Sequence, residues 1–179
     1  VLVLDHANKA GKKILMSGGG RCNFTNYFVE PEHFIGDNPH FCKSALSRYP
    51  SWEFIGMVEA HKIPYHEREH GQLFCDDSAQ DILTMLLDEC TAAGVQVRLN
   101  TNIDRVQTLS QDNQTRFQLT TSKKLGKKDI ASESKSSQTH YRCESLVVAT
   151  GGLSIPTMGA SGLGYEVAQQ FGHTLIATD

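Results

Sequence analysis

The chain has 179 residues, 39% hydrophobic and 21% charged, with 17 Lys and Arg against 20 Asp and Glu. That length suits one domain, or most of one, with a real core. The formal net charge of −3 argues against a polyanion binder, so no nucleic-acid partner is expected. No apolar run nears the roughly 18 residues of a membrane span, and no signal-peptide pattern opens the chain. The 5 cysteines (Cys22, Cys42, Cys75, Cys90, Cys143) are scattered and never form a C-x-x-C pair. They read as reduced thiols of a cytoplasmic protein, not as a disulfide framework or a zinc site.

Val1-Leu2-Val3-Leu4-Asp5 reads as a fully buried parallel strand whose acid reaches the C-terminal edge of a sheet. The chain opens on Val with no βα turn before this strand, and His173-Thr174-Leu175-Ile176-Ala177 resembles the start of another. Both ends are therefore read as cuts in a longer chain. Ile14-Leu15-Met16 is read as a short strand leading into Ser17-Gly18-Gly19-Gly20, a loop because three glycines in a row suit neither a helix nor a strand interior. Residues 40–62 hold two short helices. The second starts at Ser51, with Trp52, Ile55, Met57 and Val58 apolar and Pro64 past its end. Phe74 is the core candidate of the turn-rich stretch that follows.

The clearest helix runs from Ser78 to about Ala93. Ser78 is its N-cap, with Asp81 three positions on. Ile82, Leu83, Met85, Leu86, Leu87 and Cys90 form its apolar face, and Gly94 stops it. Val95-Gln96-Val97-Arg98-Leu99 alternates as a strand, and helix, glycine, strand is the rhythm of an α/β fold. Antiparallel strands are expected over 103–146. They are interrupted by a Lys-, Ser-, Gln- and Thr-rich segment, 122–139, which buries too little to offset its ordering entropy and reads as a solvated, flexible hairpin loop. Leu146-Val147-Val148-Ala149 is read as a buried strand entering Thr150-Gly151-Gly152. A last helix spans about Gly164 to Phe171, ended by Gly172.

Eight of the 15 glycines fall in two windows, 18–20 and 151–164. Glycine is required where backbone approaches a ligand closely or φ is positive, and the edge of a parallel sheet is where α/β proteins bind nucleotides. Asp5 occupies the place of the acid that hydrogen-bonds a ribose in dinucleotide-binding folds, although it could equally cap a turn. In Gly11-Lys12-Lys13-Ile14-Leu15-Met16-Ser17-Gly18-Gly19-Gly20-Arg21-Cys22-Asn23-Phe24-Thr25-Asn26, successive backbone N–H groups can form an anion-binding concavity. Arg21 adds a permanent charge there, and Ser17, Asn23 and Thr25 add polar groups.

This box, followed by Ala149-Thr150-Gly151-Gly152-Leu153-Ser154-Ile155-Pro156 and Gly159-Ala160-Ser161-Gly162-Leu163-Gly164-Tyr165, closely resembles the HI0933-like (BaiN/RdsA-type, aminoacetone oxidase-like) family of bacterial NAD(P)/FAD-dependent oxidoreductases. The resemblance covers nearly the whole chain. It implies a partial Rossmann-like FAD-binding domain over 1–179: a parallel sheet, flanking helices and an antiparallel β-meander. The first βαβ turn and an inserted substrate domain would be absent, so the chain alone is expected to hold FAD weakly.

The resemblance also implies roles. Asp5 would bind the adenosine ribose of FAD, where most relatives have Glu. Lys13, Ser17, Gly18, Gly19, Gly20, Arg21 and Cys22 would line the pyrophosphate and flavin side. Ile103 would set its backbone against the adenine, and Thr150 and Gly151 would pass near the pyrophosphate. Gly162 and Gly164 would let the last helix's N-terminus approach the flavin, where its dipole favours negative charge. The chain departs from the family in two places. Relatives read Thr-Gly-Asp-Gly-Tyr where it has Ser161-Gly162-Leu163-Gly164-Tyr165, and Gly-Arg-x-Phe-Pro where it has Gly71-Gln72-Leu73-Phe74-Cys75.

His61, His66 and His70 lack metal-ligand spacing and read as surface or satisfied histidines, so no metal is expected. Cys22 reads as a packing residue in the loop, with a redox role the lesser alternative. Asp76 and Asp77 read as the start of the 78–93 helix. The expected function is hydride transfer through bound FAD, from NAD(P)H to a small organic substrate, an unsaturated ketone by family analogy. The catalytic residues are unassigned. Two other classes fit the same residues: a flavin-dependent RNA-modifying enzyme, disfavoured by charge, and a non-catalytic flavin-binding redox sensor.

Overall fold

The computed structural model describes residues 1–109, 116–123, 138–155 and 159–177. In chain order the elements are β1 (Leu2–Leu4), α1 (Lys12–Met16), β2 (Asn23–Asn26), α2 (Lys43–Arg48), α3 (Ser51–Ala60), β3 (Tyr65–Glu67), β4 (Gln72–Cys75), α4 (Ala79–Ala92), β5 (Gln96–Arg98), β6 (Thr101–Thr108), β7 (Phe117–Lys123), β8 (Gln138–Cys143) and α5 (Leu163–Gln170). They form two compact units, one of Val1 with Gly11–Gln96, the other of Leu2–Ala10 with Val97–Asp179. The expected α/β class with a parallel strand pair, helices and antiparallel sheets is present. No helix among the described residues is long and apolar enough to cross a membrane.

The first unit is organised by α4. Ser78 caps it as expected, its hydroxyl accepting the Gln80 N–H at 3.1 Å. At the other end Gly94 turns left-handed (φ +67). The Gly94 and Val95 N–H groups then close onto the carbonyls of Thr91 (3.0 Å) and Cys90 (2.8 Å), the paired bonds of a Schellman stop. Ala79, Ile82 and Met85 bury against Cys22, Val58 and Cys75, and Phe74 is buried as expected. Beside this core the antiparallel sheet runs β2-β4-β3, with Asn23 opposite Phe74 and Tyr65 opposite Cys75. Trp52 stays 61% exposed and stacks on Tyr27 at 5.3 Å.

One element of this unit differs from expectation. Ile14-Leu15-Met16 is helical, not a strand. A strand would send Ile14 and Leu15 to opposite faces, whereas a helical turn lets both pack on the same core. Gly11 starts that turn in the left-handed conformation, with the Leu15 N–H on its carbonyl at 3.0 Å. A Cβ at Gly11 would sit 2.5 Å from Leu83 Cδ1, so glycine lets α1 lie against α4.

In the second unit β1 and β5 pair in parallel, the bonds advancing together from Asp5 N–H on Arg98 to Asn100 N–H on Ala7. β6, β7 and β8 form the expected antiparallel meander. Val106, Leu119 and Val167 bury together, with Leu4, Ile103, Leu146 and Leu163 against them. The helix α5 is tied to β6 by Gln170 Nε2 donating to the Val106 carbonyl at 2.7 Å. Gly172 ends this helix with φ +81, as expected.

Three expectations fail here. β1 is not fully buried, Leu2 being 37% and Val3 41% exposed: a parallel strand is enclosed only by neighbours and helices on all sides, and β5 is its one partner among the described residues. Leu146–Ala149 is not a strand; Leu146 joins the core, while Val147 is 84% exposed. Among the described residues the segment has no ladder partner, and apolar composition alone does not make a strand. Residues 173–177 are not a strand either. Of the loop expected at 122–139, residues 122–123 and 138–139 belong to β7 and β8, and the remainder lies outside the described residues.

Candidate functional site

The predicted site residues divide between the two units. Lys13 and the run Ser17 to Cys22 stand in the first. Helix α1 ends on Ser17, whose hydroxyl donates to the Ile14 carbonyl at 3.0 Å. The next three residues are left-handed glycines, with φ of +56, +68 and +88 at Gly18, Gly19 and Gly20. The loop is closed by the Cys22 N–H on the Ser17 carbonyl at 3.1 Å and by the Arg21 carbonyl accepting the Cys75 N–H at 2.9 Å. These glycines have different jobs. A Cβ at Gly18 would meet the Phe74 ring at 2.6 Å and the Asn23 nitrogen at 2.8 Å, whereas at Gly19 nothing lies within 4 Å. Gly18 seats the loop on the core, and Gly19 leaves open space over the backbone.

Arg21 points outward from this loop and Cys22 is 4% exposed in the core, the packing role expected of it. The next cysteine along the chain from Cys22 is Cys42. In the fold, Cys75 lies in the same core cluster, brought there by β2–β4 pairing across 52 intervening positions. Its thiol is pushed up to about 12 by burial and then by neighbouring Cys22, so the Cys75 sulfur stays a protonated core group at neutral pH. His66 and His61 are satisfied: His66 Nδ1 meets Asp76 Oδ1 at 2.6 Å, and His61 Nε2 meets Glu89 Oε1 at 2.7 Å. Asp76 is therefore engaged with His66 as well as preceding α4. No metal-binding cluster occurs among the described residues.

Asp5, Ile103, Thr150, Gly151, Gly162 and Gly164 stand in the second unit. Asp5 Oδ1 accepts the Ala7 N–H at 2.8 Å, the turn-capping role the sequence left open, while its other oxygen has no partner among the described residues. Ile103 sits in β6 opposite Thr121, beside a bulge. Thr150 lies against the start of α5: a Cβ at Gly164 would come 2.6 Å from its Oγ1. Gly151 is left-handed at φ +69, and Gly162 is the N-cap of α5. The Thr150–Gly152 turn and the α5 N-terminus are thus brought together. His6 closes on the same region, its Nε2 2.8 Å from a Cβ at Gly159.

Sequence reasoning missed a cavity of about 580 Å³ in the first unit, lined by Asn26, Phe28, Val29, His33, Phe34 and His70. Asn26 closes the quoted box and His70 was passed over as a surface histidine; no local pattern joins them.

A glycine loop and a glycine-started helix on mixed α/β units define a Rossmann-like domain, the class that binds nucleotide cofactors. The chain belongs to the HI0933-like family, a flavoprotein family: the profile of the HI0933-like protein Rossmann domain matches residues 1–178. It is 48% identical over 178 residues to the ribosomal RNA dihydrouridine synthase of Escherichia coli K12, covering 99% of this chain and 40% of that protein. It is 45% identical over 176 residues to the ribosomal RNA dihydrouridine synthase of Haemophilus influenzae, covering 98% of this chain and 40% of that protein. Identity to the 3-dehydro-bile acid delta(4,6)-reductase of Clostridium scindens is 26% over 176 residues, 98% of this chain and 38% of that protein. The chain spans about two fifths of the length of these relatives.

These relatives correct the expectation that nucleic acid is not a partner. Two proteins this similar are named for an RNA substrate. The expectation rested on net charge, which governs non-specific attraction to phosphates and not the reading of a base.

Proposed function

We propose that the protein is a flavin-dependent enzyme that reduces a uracil base of ribosomal RNA to dihydrouracil. The observation that carries this reading is the gap between 45–48% identity to the two RNA dihydrouridine synthases and 26% to the bile-acid reductase. The reaction adds a hydride and a proton across the C5=C6 bond of uracil and consumes NAD(P)H, which leaves as NAD(P)+. An RNA substrate of this kind puts the reaction in the cytoplasm. Reduction of an unsaturated ketone, supported by the 26% relative, is the second reading; both substrates have a carbon–carbon double bond conjugated to a carbonyl.

The chain's residues fit FAD. The open backbone over Gly19 and the outward guanidinium of Arg21 suit a pyrophosphate, with Lys13, Ser17, Gly18, Gly20 and Cys22 forming the frame. The Asp5 carboxylate oxygen that has no partner among the described residues suits a ribose hydroxyl, and the backbone of Ile103 suits the adenine. Thr150 and Gly151, against Gly162 and Gly164 at the α5 N-terminus, suit the anionic parts of the cofactor. When bound, FAD supplies the hydride chemistry; these residues bind and orient it.

The test is mass spectrometry of nucleosides from the ribosomal RNA of a strain lacking the gene. Loss of dihydrouridine, restored by the wild-type gene, supports the reading. Unchanged dihydrouridine, together with NAD(P)H-dependent reduction of an unsaturated oxo-steroid by the purified protein, favours the second.

A further inference from the structure

The cavity at the end of β2 has no part in the cofactor reading, and its chemistry is specific. Its side walls are two phenyl rings, Phe28 and Phe34, which remain 60% and 47% exposed. Its polar groups are His33, His70 and Asn26, and among the described residues no Lys, Arg, Asp or Glu lines it. A phosphate would find no lysine or arginine among them. A flat, uncharged ring with hydrogen-bonding edges would find aromatic faces to stack on and donors at its rim.

The frame around it is built rather than loose. Asn26 spends its side chain on structure, Oδ1 accepting the Phe28 N–H at 2.7 Å and Nδ2 donating to the His70 carbonyl at 2.8 Å. The Tyr27 N–H bonds the Gly71 carbonyl at 2.9 Å. Phe28 lies so close over Gly71 that a Cβ there would be 2.6 Å from its ring. His70 is held at φ +60, a left-handed conformation uncommon for a non-glycine residue. His33 Nδ1 accepts the Glu30 N–H at 3.4 Å, so Nε2 is the ring nitrogen left to face a ligand. Asn26, which lines the cavity, ends the strand β2 that follows the left-handed glycines Gly18 to Gly20 along the chain.

We propose that this cavity receives an unstacked nucleobase of the RNA substrate, stacked on the Phe28 and Phe34 rings with a base carbonyl oxygen accepting from His33 Nε2. The assignment rests on the ribosomal RNA reading above. Its volume of about 580 Å³ falls within the roughly 300–1,000 Å³ of small-molecule sites. Pulling a base from its stack is what enzymes acting on a base require.

The test uses the protein as encoded, loaded with FAD, and two readouts: fluorescence anisotropy with fluorescein-labelled oligo(U), and dihydrouridine formed in ribosomal RNA. Phe34→Leu keeps apolar bulk and removes the π face; it should weaken oligo(U) binding about tenfold, a stacking-sized loss, and lower kcat/KM on RNA in parallel. Phe34→Tyr should restore both, and His33→Ala should behave like Phe34→Leu. Phe41→Leu, at a ring 86% exposed outside the cavity, should match wild type. FAD content by visible absorbance reports folding of each variant. If Phe34→Leu and His33→Ala retain FAD and match wild type in both readouts, the cavity assignment is overturned while the reading of the enzyme stands. If ribosomal RNA from the deletion strain keeps its dihydrouridine, the enzyme reading falls and the cavity assignment falls with it.

Discussion

Neighbouring glycines in one loop answer to different constraints, which substitution will separate. At Gly18 an alanine Cβ collides with the Phe74 ring and with the Asn23 backbone, on top of a left-handed φ; at Gly19 only the φ cost remains. Gly18→Ala should therefore lose at least about 2 kcal/mol in urea unfolding and Gly19→Ala about 1 kcal/mol. Equal losses would contradict the close packing at Gly18. Arg21 is exposed beside them; Arg21→Ala should leave unfolding midpoints near wild type and weaken FAD retention roughly tenfold, as loss of a charged hydrogen-bond partner does. The buried Cys75 thiol, pushed up from 9.0 to about 12 by burial and neighbouring Cys22, sets a pH dependence. Above pH 9 the unfolded chain releases this proton while the folded one keeps it, so stability falls as pH rises from about 9 toward 12. Tyr65, raised from 10.0 to about 12 by burial and its hydrogen bond to Glu59, acts in the same direction. Urea midpoints across that range should fall less steeply in Cys75→Ala or Tyr65→Phe than in wild type.

Among the elements, α4 shows how local signals survive folding unchanged. Its cap, apolar face and glycine stop all lie within 17 contiguous residues, 78–94, so nothing distant had to be known to place them. Ser78→Ala removes the acceptor for the Gln80 N–H and should cost about 1 kcal/mol, with Thr largely restoring it; urea unfolding measures both. For α1 the local signal is ambiguous. Three adjacent apolar residues have no period, and the decision went to the geometry that sends Ile14 and Leu15 to one core. Leu146–Ala149 is the opposite case, apolar enough for a strand but exposed at Val147 and Val148. Strand formation depends on a partner that composition does not reveal.

At the scale of the whole molecule, net charge bears on non-specific attraction to phosphates and not on which base is read. A formal −3 limits the number of phosphates such a protein can neutralise, and base recognition does not depend on that number. RNA binding should accordingly be weakly salt-dependent: a plot of log Kd against log salt for oligo(U) should have a slope of magnitude below about 3. A steep slope would show that phosphate contacts dominate and that charge on this chain is locally concentrated where the ligand binds.

The sequence by itself determined the α/β class, helices α3, α4 and α5, the antiparallel meander, and the family through its glycine boxes. All of these are written in contiguous residues, where period, caps and glycine conformations act over a few positions. Tertiary structure alone decided that Ile14–Met16 is helical and that Cys22 has Cys75 for a neighbour. It also decided that Gly18 and Gly164 are needed for what packs against them, and that Phe28, Phe34, His33 and His70 share a cavity. Each depends on residues tens of positions apart that meet only when β2 pairs with β4 or α5 seats on Thr150. Spacing along a chain carries no record of such meetings.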